Sequence, residues 1–253
     1  MTYAEQEDKL HPNFTIDTKF DFRTDAKGQD IDSASATLRQ YHKILWSKIL
    51  PNGKMFDLSD SKDGTYLYHK SKIGEFFLSS DVISRSYIHH KRKQWIIQQI
   101  PSEVDELHAV VCTVGAYIIF PSNRINNRNT INQYRGCNGL IDDRFDLTLE
   151  CIRRFYSGQA SPLYHTLLRY KTFFDLFVDF CGYVNFFLLQ DLVDEQMRIK
   201  FYLPFDDFKT KPVFSTLDDY LLYRKRVMEF TNKRNDRIAL FEIEYRQKSI
   251  KRK

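Results

Sequence analysis

Strand-like and helix-like patterns occupy different parts of this 253-residue chain. Apolar and polar side chains alternate along Phe14–Phe22, which is typical of a half-buried strand. Further strands are predicted at Met55–Leu58, Thr65–His69, Glu75–Leu78 and within His108–Phe120, whereas long helical patterns dominate the C-terminal half. Because the elements do not repeat as βαβ units, we expect a single α+β domain with a mixed or antiparallel sheet packed by three main helices.

The predicted domain spans residues 14–240. With 42% apolar residues, 21 Phe and 15 Tyr, the chain has the composition of a folded protein with an aromatic core rather than of a disordered one. Residues 1–13 are predicted to be a polar tail, and residues 246–253 a basic tail.

Capping residues predict where the helices begin and end. Ser33 or Ser35 is the predicted N-cap of a helix that continues to about Leu50. The strongest helical pattern is Asp142–Ser157, which has acidic residues in its first turn and arginines in its last. Gly158 follows it and is the predicted C′ residue.

Two later helices are predicted from their first turns. Ser161–Pro162 provides an N-cap and a proline at the first helical position for an apolar helix to about Phe180. Thr216 and Asp219 have the spacing of a capping box, which predicts a last long helix.

The cysteines and the apolar segments predict a cytoplasmic protein that does not span a membrane. The four cysteines form neither a CxxC pair nor a cluster with histidines, so we expect reduced thiols and no disulfide framework. The first ten residues contain no apolar signal core. Polar residues interrupt the most apolar stretch, Phe173–Val193, which argues against a transmembrane helix there.

Arginine and asparagine residues are concentrated between Phe120 and Asp146. Guanidinium forks and amide groups beside a glycine turn suit a polyanion such as a phosphate group. We therefore expect a phosphate-binding site in this segment. The candidate ligand-binding residues are Arg124, Arg128, Asn132, Arg135, Gly136 and Arg144.

Arg135 is the central residue of this predicted site. It follows Thr130–Tyr134, which alternates like a short strand, and precedes Gly136, which permits close approach of the backbone to a ligand. The alternative is structural: Arg135 pairs internally with Asp142 or Asp143, as part of an ion-pair network. The segment contains neither a Walker motif nor a GxGxxG motif, so it indicates no particular cofactor.

A second candidate site combines His69 with Ser79 and Ser80. A strand histidine followed by a Ser-Ser step is loosely similar to the NAD site of ADP-ribosyltransferases, and Tyr134–Gly136 resembles the arginine-containing version of that fold. Such enzymes also need a catalytic glutamate. Glu150 lies inside the strongest predicted helix and fits that role poorly.

Basic residues beside an aromatic ring form a third candidate. The run His89–Lys93 precedes Trp95, and this pattern can neutralise phosphates and stack a base, although a solvated charged face is the commoner explanation. Asp146 is a further candidate, for acid–base chemistry with a histidine. We expect no metal site, because adjacent histidines do not share one face of a helix.

The leading functional hypothesis is that the protein binds or acts on a phosphate-bearing ligand, which is a nucleic acid or a nucleotide. An RNA-directed enzyme of toxin or defence type is one form of this hypothesis. The net charge of +5 permits an anionic partner without requiring one. The alternatives are a non-catalytic module that binds a protein partner or forms a homo-oligomer, and an ADP-ribosyltransferase-like NAD enzyme. The sequence assigns no cofactor and no catalytic residue.

Several phrases of the sequence resemble a known family. They are LRQYHKILWSKILPNG, YLYHKSKIGEFFLSSD, TINQYRGCNGLIDDRFDLTLECIRRFY and GYVNFFLLQDLVD. The chain resembles a family of bacterial cytoplasmic proteins catalogued as a domain of unknown function, over nearly all residues except the tails. This resemblance implies one full-length domain in a bacterial cytoplasm, and it transfers no activity, cofactor or site residue.

Overall fold

In this computed structural model, the strands form two antiparallel sheets. The structure describes residues 15–212 and 214–251, with side chains described to residue 241. The strands are β1 (Lys48–Ile49), β2 (Met55–Phe56), β3 (Ser59–Asp60), β4 (Leu67–Ser71), β5 (Gly74–Val82) and β6 (Tyr117–Pro121). Strands β1 and β2 form a hairpin, and the other four form one sheet in the order β3-β4-β5-β6. All of these pairs are antiparallel.

Helices make up most of the remaining ordered structure. They are α1 (Arg23–Ala26), α2 (Ile31–Ala34), α3 (Ala36–Trp46), α4 (Gln94–Ile97), α5 (Pro101–Val111), α6 (Ile131–Cys137), α7 (Phe145–Tyr156), α8 (Tyr164–Arg169), α9 (Lys171–Phe174), α10 (Phe180–Phe186) and α11 (Leu217–Lys251). The four longest are α3, α5, α7 and α11.

Strand β5 contacts helices through neighbouring residues at its C-terminal end. Ser80 bonds to His42 of α3, and Asp81 bonds to Arg135 of α6. Because successive side chains of a strand point to opposite faces, the two helices meet the sheet from different sides. The fold is a single α+β domain with antiparallel sheets, which confirms the predicted fold class.

Helix α11 is attached to the segment before β6 by buried polar contacts. The guanidinium of Arg234 is fully buried and donates to the backbone oxygens of Gly115 at 2.8 Å, Tyr117 at 2.8 Å and Phe187 at 3.0 Å. A Cβ atom at Gly115 would lie 2.5 Å from the backbone oxygen of Thr231. Glycine is therefore required where α11 crosses this segment.

The strand predicted for Phe14–Phe22 is wrong for its described part, residues 15–22. The chain turns there because Asp17 accepts a hydrogen bond from the Lys19 amide, and Asp21 accepts one from the Arg23 amide, both at 2.9 Å. Such Asx turns bend the backbone within two residues, so they override the apolar alternation.

The strand prediction for His108–Phe120 is correct only at its end, where β6 begins. The preceding residues form α5, with Val104, Leu107 and Val111 buried at helical spacing. The other predicted strands exist with shifted ends, as β2, β4 and β5.

The N-cap of α3 is confirmed, but its predicted end is wrong. Ser35 Oγ accepts a hydrogen bond from the Leu38 amide at 3.0 Å. The helix ends at Trp46 rather than near Leu50, because Lys48–Ile49 pairs with β2.

Helix α7 begins later than predicted. Asp142 and Asp143 have φ angles of 47° and 64°, in the left-handed region, so they cannot form the first turn of a right-handed helix. The helix therefore starts at Phe145. Gly158 has a φ of 67° just after the helix, which confirms the predicted C′ glycine.

The helix predicted after Ser161–Pro162 is divided into α8 and α9, and Leu163, not Ser161, is the N-cap of α8.

The capping box of α11 is confirmed, because the Asp219 amide donates to Thr216 Oγ1 at 3.1 Å and the Thr216 amide donates to Asp219 Oδ2 at 3.0 Å. Helix α11 continues to Lys251, so the predicted basic tail is helical where it is described. The predicted tail at residues 1–13 lies outside the described residues.

All four cysteines are unpaired, two of them buried and two exposed. In the part of the chain that the structure describes, none of the helices combines the length and the apolar content needed to cross a membrane.

Replacement of Arg234 by lysine tests the attachment of α11. Lysine keeps the charge but has one nitrogen in place of the separate guanidinium nitrogens that donate to Gly115, Tyr117 and Phe187, so Arg234→Lys should lower the free energy of unfolding by about 2–4 kcal/mol. The measurement is denaturant unfolding. Arg237→Lys is the matched control, because Arg237 forms a partly exposed pair with Asp191, and it should change stability by less than about 1 kcal/mol. Equal effects of the two substitutions would contradict this role of Arg234.

Candidate functional site

Arg135 is fully buried and bonded on every side. Its Nη1 lies 2.5 Å from Asp81 Oδ2 and 3.1 Å from Asp143 Oδ1. The same guanidinium donates to the backbone oxygens of Val82 and Asp143, and Nε donates to Thr148 Oγ1. Its N–H groups therefore bond to other groups of the protein. This is the internal ion-pair network that the sequence analysis gave as the alternative to a ligand site.

The local structure around Arg135 also differs from the prediction. Thr130–Tyr134 is not a strand, because Thr130 is the N-cap of α6. Its hydroxyl accepts from the Gln133 amide at 3.3 Å, while the Gln133 side chain accepts from the Thr130 amide at 3.2 Å. This capping box favours a helix over the extended form that the alternation suggested.

Arg144 and Asp146 form a second buried ion pair. Arg144 Nε donates to Asp146 Oδ1 at 3.1 Å, and the Tyr202 amide donates to Asp146 Oδ2 at 2.8 Å. Both side chains are almost completely shielded from solvent. Asp146 therefore lies in the protein interior beside Arg144.

The remaining members of the arginine segment are exposed. Arg124 and Arg128 lie in the loop between β6 and α6, and Gly136 lies in the last turn of α6. The structure does not bring Arg124, Arg135 and Arg144 together in one cavity, because the last two belong to separate buried pairs.

Asn132, Ser79 and Ser80 do come together. Asn132 Nδ2 donates to Ser79 Oγ at 3.3 Å and to the backbone oxygen of Ser80 at 3.4 Å. All three line a cavity of about 390 Å³, which Asp32 and Asp81 also line. Here the sequence candidates from two different segments form one site.

An ordered hydrogen-bond chain leads to Asp32 at this cavity. Trp46 Nε1 donates to His42 Nδ1 at 3.0 Å, so the ring proton of neutral His42 lies on Nε2. That nitrogen lies 3.0 Å from Ser80 Oγ, and the Ser80 hydroxyl donates to Asp32 Oδ1 at 3.0 Å. His42 therefore acts as a hydrogen-bond donor to Ser80, and the whole chain is directed towards the carboxylate.

Burial sets the protonation of both ends of this chain. It lowers the pKa of His42 to about 3, which keeps the ring neutral. Burial raises the pKa of Asp32 to about 7, and the negative charges of Asp81 and Asp30 act in the same direction. Burial also raises the pKa of Asp81, but Arg135 opposes that shift. Of these two carboxyl groups, Asp32 therefore has the higher pKa and keeps its proton to a higher pH.

A larger cavity of about 710 Å³ lies on the other side of Asp30 and Asp32, which line both cavities. Its wall contains two arginines and three histidines, whose side-chain nitrogen atoms can donate hydrogen bonds to an anion. They are Arg23, Arg85, His89, His90 and His108.

Arg85 is the cation of this wall with unused hydrogen-bonding capacity. Its Nη2 lies 2.7 Å from Asp143 Oδ2, and its side chain is 40% exposed. Among the described residues, its buried Nε atom has no hydrogen-bond partner, and neither has Nδ1 of His90. Such orphan groups beside a cavity are typical of positions that a ligand or water completes.

Helix α11 fixes the backbone around Arg85. Tyr223 donates its hydroxyl to the Arg85 carbonyl at 2.9 Å, and Tyr220 donates to the Ser86 carbonyl at 2.6 Å. The next residue, Tyr87, has a φ of 60°, which is unusual for a bulky side chain and costs on the order of 1–3 kcal/mol. Packing against α11 therefore holds a strained segment at the cavity wall.

The basic run His89–Lys93 is divided between solvent and interior. Lys93 is buried, with Nζ 2.9 Å from Asp142 Oδ2 and 3.9 Å from the centre of the Tyr87 ring. Lys91, Arg92 and Trp95 are exposed. Only His89 and His90 of this run line the larger cavity.

His69 is buried and bonded locally. Its Nδ1 lies 2.7 Å from the backbone oxygen of Asp57, and its Nε2 lies 2.9 Å from Ser71 Oγ. Its ring lies 4.6 Å from that of Phe56. Neither of the two cavities includes His69, so the structure separates it from Ser79 and Ser80.

Sequence reasoning missed Asp32, His42 and Arg85. Asp32 lies in a polar segment just before the predicted helix N-cap, and His42 and Arg85 follow no motif spacing. In the described part of the chain, no group of three or more His, Cys, Asp or Glu side chains is arranged to hold a metal ion.

Replacement of Arg135 by lysine tests the buried pair. Lysine lacks the fork that contacts Asp81 and Asp143 together, so Arg135→Lys should lower the free energy of unfolding by about 3–5 kcal/mol. Arg124→Lys, at an exposed position, is the control and should leave stability unchanged within about 0.5 kcal/mol. Denaturant unfolding measures both, and an unchanged Arg135→Lys protein would refute a structural role.

Replacement of Asp32 by asparagine tests its raised pKa. The folded state holds the Asp32 proton more tightly than the unfolded state, so this group's stabilising contribution is lost as the pH rises from the unfolded pKa through about 7. Asparagine does not titrate, so Asp32→Asn removes this pH-dependent loss of stability. The variant should gain about 1–2 kcal/mol relative to the native protein between about pH 5 and about pH 8, measured by denaturant unfolding. A difference that does not depend on pH would contradict the raised pKa.

Comparisons with known proteins identify a family and no activity. The comparison with curated proteins and the comparison with solved structures gave no match. Residues 16–238 match the model of a family of unknown function (DUF6994). Because the match covers most of the chain, the protein belongs to this family of unknown function.

Proposed function

We propose that the larger cavity binds a phosphate-bearing small molecule of nucleotide size. The observation that carries this proposal is Arg85, a guanidinium at the cavity wall with an unpartnered Nε atom among the described residues. Arginine binds phosphate oxygens through parallel N–H groups, so an unpartnered Nε–H beside the Nη2 that contacts Asp143 suits a phosphate oxygen.

The surrounding residues support an anion at the same end of the cavity. His89, His90 and His108 line it beside Arg85. Burial lowers the pKa of His90 and of His108, so these rings are neutral donors near physiological pH, and the fixed positive charges of the wall belong to Arg23 and Arg85. Phosphate affinity is therefore expected to increase as the pH falls and the histidines become charged.

The size of the cavity favours a small ligand over a polymer. A volume of about 710 Å³ lies within the range of small-molecule sites. Among the described residues, Arg85 has one carboxylate partner, Asp143, and that carboxylate also contacts Arg135. A bound phosphate could thus share Arg85 without leaving Asp143 unpaired.

Substitution of Arg85 by lysine tests the proposal. Lysine keeps the charge but loses the planar fork, so pyrophosphate and ATP should bind at least about tenfold more weakly to Arg85→Lys than to the native protein. The measurement is isothermal titration calorimetry at low and moderate salt, and binding should weaken as salt increases. Arg92→Lys, an exposed residue outside the cavity, is the matched control and should bind as the native protein does.

The titrations also separate the competing ligand classes. Adenosine, which lacks phosphate, should bind more weakly than ATP. Single-stranded RNA that binds more tightly than ATP, with an affinity unaffected by Arg85→Lys, would indicate a nucleic-acid surface elsewhere. Failure of both pyrophosphate and ATP to bind the native protein would overturn the proposal.

A further inference from the structure

We infer that the smaller cavity, lined by Ser79, Asn132 and Asp32, is a subsite for the hydroxyl-bearing sugar of the same ligand. This inference rests on the proposed function, because it assumes that a phosphate occupies the larger cavity. The ligand class is then a sugar phosphate, either free or as part of a nucleotide.

The smaller cavity offers hydrogen-bond acceptors that lack partners. Asn132 Oδ1 is buried, and no described residue bonds to it, because the hydrogen bonds of this amide to Ser79 and Ser80 are made through Nδ2. A buried carbonyl oxygen without a donor is unfavourable by about 1–3 kcal/mol. A ligand hydroxyl can supply the missing hydrogen.

Asp32 is oriented to offer one oxygen to a ligand. Its Oδ1 accepts the Ser80 hydroxyl, whose own acceptor position is occupied by His42. Among the described residues, no hydrogen bond is formed by Oδ2, and Asp32 lines both cavities. A carboxylate that lines a cavity and has one oxygen fixed by a hydroxyl is suited to a sugar hydroxyl, which both donates and accepts.

The charge distribution separates the two parts of the ligand. Three carboxylates and one arginine, Arg39, line the smaller cavity, whereas two carboxylates and two arginines, Arg23 and Arg85, line the larger one. An anion is therefore less favoured in the smaller cavity than in the larger one. The smaller cavity also includes the half-buried ring of Tyr66, against which the apolar face of a sugar or a base can pack. A neutral hydroxyl-bearing group fits this cavity, and a phosphate fits the other.

Asp30 and Asp32 form the boundary between the two cavities. A ligand that covers this boundary places its phosphate on the Arg85 side and its hydroxyl groups on the Asn132 side. Recognition of both groups at once distinguishes a sugar phosphate from inorganic phosphate, because the binding free energies of the two contacts then add within one molecule.

Calorimetry with ribose 5-phosphate, 2-deoxyribose 5-phosphate, AMP and inorganic phosphate tests the subsite. Ribose 5-phosphate should bind at least about tenfold more tightly than phosphate, and Asn132→Ala should remove most of that difference while leaving phosphate affinity unchanged. Alanine is compatible with α6, so folding is maintained. Asn123→Ala is the matched control, because the exposed Asn123 bonds Tyr170 only through its backbone, and it should bind both ligands as the native protein does.

The outcomes separate this inference from the proposed function. AMP binding more tightly than ribose 5-phosphate indicates a nucleotide, and the reverse indicates a free sugar phosphate; both support the subsite if Asn132→Ala weakens them. Ribose 5-phosphate that binds no more tightly than phosphate overturns the subsite and leaves the phosphate site intact. Tighter binding of phosphoethanolamine than of ribose 5-phosphate also overturns it, because the acidic cavity then selects an amine. Arg85→Lys with unchanged phosphate affinity overturns the phosphate site, and with it the premise of the subsite.

Discussion

The buried guanidinium of Arg135 joins the segments that form the candidate site. It contacts Asp81 at the end of β5 and Asp143 in the turn before α7, and Asp143 in turn contacts Arg85. Each charge in this series has an opposite charge beside it, and loss of one member would leave a buried charge unpaired at a cost of several kcal/mol. The positions of β5, α6 and the cavity wall therefore depend on one another.

Helix α11 provides the second constraint on the site. Its tyrosines bond the backbone beside Arg85, and Arg234 holds the segment that leads into β6. These contacts hold the wall of the larger cavity, which lies beside a second cavity of different character. Two arginines and three histidines line the larger one together with two carboxylates, whereas three carboxylates, hydroxyl groups and an amide line the smaller one together with Arg39 and His42. The proposed sugar phosphate matches this division, because one end of it is an anionic phosphate and the other carries neutral hydroxyl groups.

Local sequence patterns predicted the features that depend on neighbouring residues. The caps at Ser35 and Thr216, and the glycine after α7, involve partners only a few residues away, so residue types at fixed spacing are sufficient to identify them. Apolar alternation was less reliable. At residues 15–22 and at Thr130–Tyr134, side-chain hydrogen bonds to nearby amides produced turns or a helix instead of a strand.

The sequence by itself determined the α+β class, the caps at Ser35, Thr216 and Gly158, and the concentration of arginines between β6 and α7. Only the tertiary structure decided which of those arginines are available to a ligand. Arg135 is occupied because Asp81, distant in the sequence, is brought beside it by the packing of α6 on β5. Asp32 and Arg85 became site candidates for the same reason, since each meets a cavity through contacts with distant segments. Residue spacing encodes local hydrogen bonds, whereas the partner of a buried charge depends on how whole elements pack.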